Sequence, residues 1–384
     1  MGKKLTFLAA GELILGMDQE KCKEPNYYVE EIKDLFESSD LVLAHLENPH
    51  TDRPPPGSNA ITEVPPMRNI VCIKHAGIDA VSFACNASNM AGANGIIDTT
   101  DWLTENGIGY VGVGRNIDEA RKPLIMERDG VKFGFLSVDC VSTARSAAGI
   151  NRPGAAYVDI LTYHHSASFP GSKPRTFTYP ERWSMEAFRQ DIRALRPLCD
   201  VLVTSIHQGL GFDTEITDYE YEMVMQAVDN GADVVIANHS HVVKAMQFYK
   251  GKPIFHSTGN LVCVFPWQVH SMFRGGEPET MLGKSKLRPR ATGSGRSNID
   301  LETHPNYPFP SREGIIGKLI IDADTKKVEE VRILPVFMNT EGAPIIHGND
   351  AEGQMVFNTM VKTTAEADLN AKYKWDGDEI VVYE

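Results

Sequence analysis

The chain has 384 residues, 42% hydrophobic and 23% charged, a composition that fits a soluble globular protein of one large domain or two ordinary ones. Its formal charge of -13 argues against a nucleic-acid partner, because phosphate-backbone binders need a basic stripe. Six scattered cysteines without a Cys-x-x-Cys pair make no disulfide framework, and the apolar run after Lys4 meets Glu12 too soon to span a membrane.

In chain order, the runs Leu5–Ala10, Leu41–Ala44, Ala80–Ala84, Lys132–Val138, Val201–Ile206, Val234–Ala237 and Pro253–His256 read as strands, apolar and nearly unbroken by charge. Between them, Tyr28–Glu37 places Val29, Ile32, Leu35 and Phe36 on one helical face. Ile96–Glu105 stops at Asn106-Gly107, and Met185–Leu195 and Tyr219–Asp229 complete the predicted helices. The alternation predicts an α/β fold whose sheet is largely parallel and covered on both faces. Two stretches break the rhythm, 142–182 and 266–312, and loops this long in a compact domain are commonly functional. From Gly314 onward come the predicted strands Gly317–Ile321 and Val328–Pro335, then a mixed tail over the remainder of 314–384. No linker divides these parts, so we expect one domain over 1–384 with two insertions.

The strand ends carry the chemistry. Leu5–Ala10 runs into Gly11-Glu12, Leu41–Ala44 into His45-Leu46-Glu47, and Ala80–Ala84 into Cys85-Asn86. The strand before His207 and the strand before Asn238-His239-Ser240-His241 deliver three imidazoles. Carboxyl ends of parallel strands are where open α/β sheets bind ligands. Carboxylates, an amide oxygen and imidazoles together suit manganese, iron or zinc. Two ions would need a bridging carboxylate, for which Glu47 is the natural candidate. A single strand-end histidine is more often structural, so the convergence carries the reading. Cys85 reads as a small buried hydrophobe, and Gly112-Val113-Gly114 lacks the third glycine and downstream acid of a dinucleotide fingerprint.

Gly11-Glu12-Leu13-Ile14-Leu15, His45-Leu46-Glu47-Asn48-Pro49, Ala84-Cys85-Asn86-Ala87, the glycine-rich Gly107–Gly114, His207-Gln208-Gly209, Ala237–Val242 and His256–Leu261 occur in one order. In this the chain resembles the CapA family, the poly-γ-glutamate capsule synthesis proteins related to calcineurin-like metallophosphoesterases. The resemblance implies a four-layer α/β/β/α metallophosphoesterase-like sandwich with long loop insertions and a two-metal site. It implies that Glu12 holds one metal and Glu47 bridges, that Asn86, His207 and His239 hold the second, and that His241 returns to the first. Against the family pattern, an aspartate has become Glu12, a histidine Ala87, a glutamate Gly211 and a later aspartate Met90. The metal frame is kept while groups that face the substrate have changed.

These readings lead us to expect a cytoplasmic, dinuclear, metal-dependent hydrolase in which activated water attacks a small amide, ester or lactone. A substitute acid comes from His45, His256 or Asp139; His45 lies two residues before Glu47 and shares its face of the strand. His164, His165 and Trp267, with Tyr163, Trp183 and Phe265 nearby, are the candidate substrate contacts in or beside the insertions. A small molecule is the expected partner, with neither nucleic acid nor membrane, and a homo-oligomer is left open. The rival readings are a phosphoesterase with a relocated histidine and a non-catalytic member in poly-γ-glutamate or capsule metabolism.

Overall fold

The computed structural model describes residues 2–16, 22–55, 64–165, 175–264 and 312–384. Two main sheets face each other. The first contains β1 (Lys4–Leu15), β2 (Leu41–Leu46), β3 (Ala80–Ser82) and β4 (Gly109–Val111), all parallel, and short β5 (Val113–Gly114) follows beside it. The second contains β6 (Leu124–Arg128) and β7 (Val131–Asp139). After β8 (Gly154–Ala155) and a separate hairpin of β9 (Ile160–His165) and β10 (Arg175–Pro180), it continues with β11 (Val201–His207) and β12 (Val234–Asn238). Strands β13 (Met246–Tyr249) and β14 (Lys252–Phe255) complete it, with β7, β11, β12 and β14 parallel. The chain then returns to the first sheet as β15 (Asn260–Val264), which runs parallel to β1, and as β16 (Glu313–Asp322), antiparallel to β1. β17 (Lys327–Met338), β18 (Pro344–Ile346), β19 (Lys372–Asp376) and β20 (Glu379–Tyr383) extend that sheet outward.

The alternation of side chains along each strand produces the layers. On β1, Leu5, Phe7 and Ala9 enter the core between the sheets, while Leu8 and Ala10 face outward. That outer face is covered by α1 (Glu30–Glu37), α2 (Val71–His75) and α3 (Gly92–Glu105), through Ile32, Phe36, Ile73, Ile96 and Leu103. On the second sheet, Phe133, Phe135, Val201, Val203, Val234 and Ile236 point inward, and Phe7 meets Phe133 and Phe135 at ring-centroid distances of 5.9 and 6.0 Å. The alternate residues Leu136, Val138, Leu202, Ile206 and Val235 pack outward. Short α4 (Ile117–Ala120) precedes the helices on that side, α5 (Arg182–Leu195) and α6 (Asp218–Asn230). The result is the expected α/β/β/α stack of four layers.

Thr217 and Glu220 start α6 with reciprocal side-chain and backbone bonds, and Gly231, at φ 127°, ends it. A last helix, α7 (Ala351–Glu366), begins where Asp350 accepts from Gly353 N and buries Val356 and Met360 beside the central core.

Several boundaries correct the sequence reading. β1 continues five residues past Ala10, through a register shift after Glu12. The stretch 142–182, expected as loop, holds β8 and the β9–β10 hairpin. The second expected insertion lies outside the described residues, apart from buried Arg312. Among the described residues, no helix is long and apolar enough to cross a membrane.

Candidate metal centre

The inward faces of the strands change character at their carboxyl ends. Leu41 and Leu43 lead along β2 to His45, Ala80 leads along β3 to Ser82, and Val201 and Val203 lead along β11 to Ser205 and His207. β1 supplies Glu12 at its irregular step. Its neighbour Gly11 has no room for a side chain, since a Cβ there would lie 2.5 Å from Gly259 O. The two sheets thus aim polar groups at one another across a single rim.

One half of the cluster is acidic. Glu12, Glu47 and His241 are all buried, and one ligand-type atom from each lies within 4.8 Å of the others. His241 Nδ1 is 2.6 Å from Glu12 Oε2 and 3.0 Å from Asn260 Oδ1, and His241 Nε2 is 3.6 Å from Glu47 Oε1. Burial disfavours a charged His241, but the two carboxylates outweigh it and raise the imidazolium to about 10. Burial also opposes ionisation of Glu12, yet the charge on His241 holds that carboxyl well below its usual range. Glu47 is pushed well above it, first by burial and further by Glu12. Its Oε2 is buried without a hydrogen-bond partner.

The other half is built from imidazoles. His207 Nε2 lies 2.6 Å from Asn86 Oδ1 and 3.1 Å from His239 Nδ1. On the far side of the ring, His207 Nδ1 is 2.9 Å from His45 Nε2, and His45 Nδ1 is 2.9 Å from Ser82 Oγ. Burial lowers His45 to about 4 and His239 to about 3, and pushes His207 well below its ordinary value, so all three rings are neutral near pH 7. The halves meet where His239 N donates to Glu12 Oε1. Asn86 and His239 reach solvent, whereas His207 and His45 lie behind them. The His-x-His turn is strained, with φ 98° at His239 and 52° at His241. Such backbone strain gathers where function requires a particular side-chain direction.

The structure therefore brings Glu12, Glu47, Asn86, His207, His239 and His241 together. Their donor set fits a divalent ion on two counts: Glu47 Oε2 is orphaned in a buried site, and the protonated His241 stands as a cation between two acids.

The other candidates fall elsewhere. Both ring nitrogens of His45 are engaged, so it backs His207 instead of facing a substrate. Asp139 pairs in register with His207, but its carboxylate is tied into a turn, accepting from Val141 N at 2.9 Å and from Ser142 N and Oγ. Burial raises it to about 6. His256 is not brought to the cluster. Phe255 before it fills the core between the sheets, so His256 turns the opposite way, with Nε2 3.2 Å from Gln247 Oε1 and its ring 5.7 Å from Tyr221 on α6. His164 and His165 stand on the exposed β9–β10 hairpin, where His164 Nδ1 meets Thr176 Oγ1 at 3.1 Å, and among the described residues no contact joins them to the cluster. Trp267 and Phe265 lie outside the described residues. The sequence reading passed over Ser82 and Asn260. Small polar residues inside otherwise apolar strands were the available signal.

Three comparisons bear on this arrangement. The family model described as bacterial capsule synthesis protein PGA_cap matches residues 6–264. The PGA biosynthesis protein CapA of Bacillus subtilis strain 168 is 24% identical over 325 residues, covering 82% of this chain and 76% of that protein. The capsule biosynthesis protein CapA of Bacillus anthracis is 22% identical, covering 69% of this chain; the chain spans 61% of its length. Among solved structures, the 5'-nucleotidase of Candida albicans SC5314 overlays 96% of this chain on 60% of its own, at 9% identity and a TM-score of 0.42.

Proposed function

Because the chain belongs to the bacterial capsule synthesis protein family, within the calcineurin-like metallophosphoesterase superfamily, we propose that it is a metal-dependent hydrolase acting on a small amide, ester or lactone. The observation that carries this reading is the meeting of two ligand-type groups, buried Glu12, Glu47 and His241 and, joined to them where His239 N donates to Glu12 Oε1, Asn86, His207 and His239. Glu12, Glu47 and His241 would hold one ion, and Asn86, His207 and His239 the other, with Glu47 shared. When bound, manganese, zinc or iron would acidify water and polarise an acyl or phosphoryl oxygen.

The residues of the chain do the rest. Asn86 and His239, at the solvent-facing edge, meet an incoming substrate first. His241, which would bind a cation only as the neutral ring, holds the proton that such binding would release. Ala87, 4% exposed, can neither protonate a leaving group nor steady a transition state. This favours a carbonyl substrate, above all a lactone, whose leaving group stays attached. Under the second reading, a phosphoesterase, Asp139 would have to leave the turn that holds its carboxylate before it could serve as proton donor.

Turnover of aryl esters, anilides and lactones against aryl phosphate, at matched manganese, zinc and iron, separates the two. Ester, amide or lactone hydrolysis without phosphatase activity is the expected result; the reverse pattern favours the second reading. Purified protein that holds less than about one equivalent of transition metal, and gains no activity on addition, favours a non-catalytic member of the family.

A further inference from the structure

We propose that His45, held by Ser82, is the positioning residue that fixes His207 in the one tautomer able to ligate through Nε2. This deepens the metal-centre reading and rests on it. A neutral imidazole carries its proton on one nitrogen and a lone pair on the other. For His207 to offer its Nε2 lone pair toward the space shared with Asn86 and His239, the proton must sit on Nδ1. The group facing Nδ1 is His45 Nε2, at 2.9 Å, which must then accept. An accepting Nε2 puts the His45 proton on Nδ1, which donates to Ser82 Oγ at 2.9 Å.

Ser82 Oγ can take that bond because its own proton has another outlet, Ala44 O at 3.5 Å, while Ser205 Oγ donates to it at 2.9 Å. Every hydrogen bond then points one way, from His207 through His45 to Ser82. The rings of His45 and His207 meet edge to edge, with centroids 4.9 Å apart and planes only 21° apart, the near-coplanar arrangement in which a ring N–H points at the facing nitrogen. All four side chains come from strand positions on the inward faces of the two sheets, so the relay bridges β2 and β3 to β11. Serine and histidine here are placed by the pairing of His45 with Ser82 in β2–β3. The reversed relay, with Ser82 donating to His45 and His207 donating from Nε2 to Asn86, leaves no lone pair for an ion. The two arrangements contain the same number of protons and differ only in direction.

The test combines nitrogen-15 NMR of histidine-labelled, zinc-loaded protein with zinc affinity measured by competition against a chromophoric chelator. The spectra should show His207 and His45 both neutral and protonated at Nδ1. His45→Ala should weaken zinc binding by about 10- to 100-fold, as for other residues that orient a ligating histidine. His45→Gln, whose amide oxygen can still accept from His207 Nδ1, should recover much of that loss, and Ser82→Ala should fall between. His45 protonated at Nε2, or His45→Ala binding zinc as tightly as the unaltered protein, overturns the relay and leaves the metal centre standing. If His45→Ala fails to fold, the spectra of the unaltered protein decide. Unaltered protein that binds no zinc, manganese or iron overturns the metal centre itself.

Discussion

In the acidic half of the cluster, one imidazolium sits between two buried carboxyl groups; in the other half, three neutral rings and an amide line up without a formal charge. The acidic half is wholly buried, whereas the imidazole half opens to solvent at Asn86 and His239, yet it is the neighbours that set the charge of each ring. His241 is raised to about 10 because acids surround it, while His239, two residues away, falls to about 3 because burial dominates. The acidic half therefore carries its own compensating cation, and a metal ion arriving there must replace a proton. The imidazole half has lone pairs already free of protons and asks only that they point the right way.

The largest test of this contrast removes the internal cation. His241→Ala should destabilise the metal-free protein by about 3–5 kcal/mol, the usual cost of stranding buried charge, as read by urea unfolding. Saturating manganese should return part of that stability by binding the folded state alone. The sign of the pH dependence follows from the raised value. Stability contributed by His241 is fully present below about 6.5, its unfolded value, and is lost as pH rises through about 10. Loading metal at pH 7.5 should accordingly release at least about one proton per chain, from His241 and from the raised Glu47, measurable by calorimetry in buffers of different ionisation enthalpy.

A smaller effect concerns Asp139, a buried carboxyl with no cation beside it. Burial lifts it to about 6, above the ordinary aspartate range, so ionisation weakens the fold between about pH 4 and 6. Asp139→Asn should be more stable than the unaltered protein above pH 6 by up to about 3 kcal/mol, and the difference should vanish below about pH 4. Equal stability across that range would show that the Asp139 turn already compensates the charge.

The smallest test targets the strained turn. His239→Gly should raise metal-free stability by about 1 kcal/mol, because φ 98° suits glycine, while halving the metal content of the loaded protein. A variant that loses stability would place His239 in the structural frame instead.

Much of this arrangement was legible in the sequence because it lies at the ends of apolar runs. Val201–Ile206 and Val234–Ala237 are β-branched and lead straight into His207 and His239, so position along the strand and position in the site coincide. Glu12 was harder to place on its strand, since Gly11-Glu12 looks like a strand end and is in fact a step inside β1. β15 was missed because Thr258-Gly259-Asn260 reads as a turn, although Asn260 pairs with Glu12. The β9–β10 hairpin does alternate, with Leu161, Tyr163, Phe177 and Tyr179 on one face, but that face is exposed and lies within a stretch rich in Gly, Ser, Pro and His that reads as loop. α7 is interrupted by Gly353, Asn358 and several threonines, which obscure its helical face. His45 was legible as a member of the site but not as a support for His207. That role depends on which strand lies opposite, and cross-strand register is invisible in a single chain.

The pairing of β16 with β1 over Lys4–Ala9 has a practical consequence. The region matched by the family model closes at residue 264, before β16 begins. A shortened product stopping there would leave the row of amide and carbonyl groups along Leu5-Thr6-Phe7-Leu8 without its neighbour. An apolar margin of that kind recruits other chains, so such a product should precipitate or form soluble aggregates during expression.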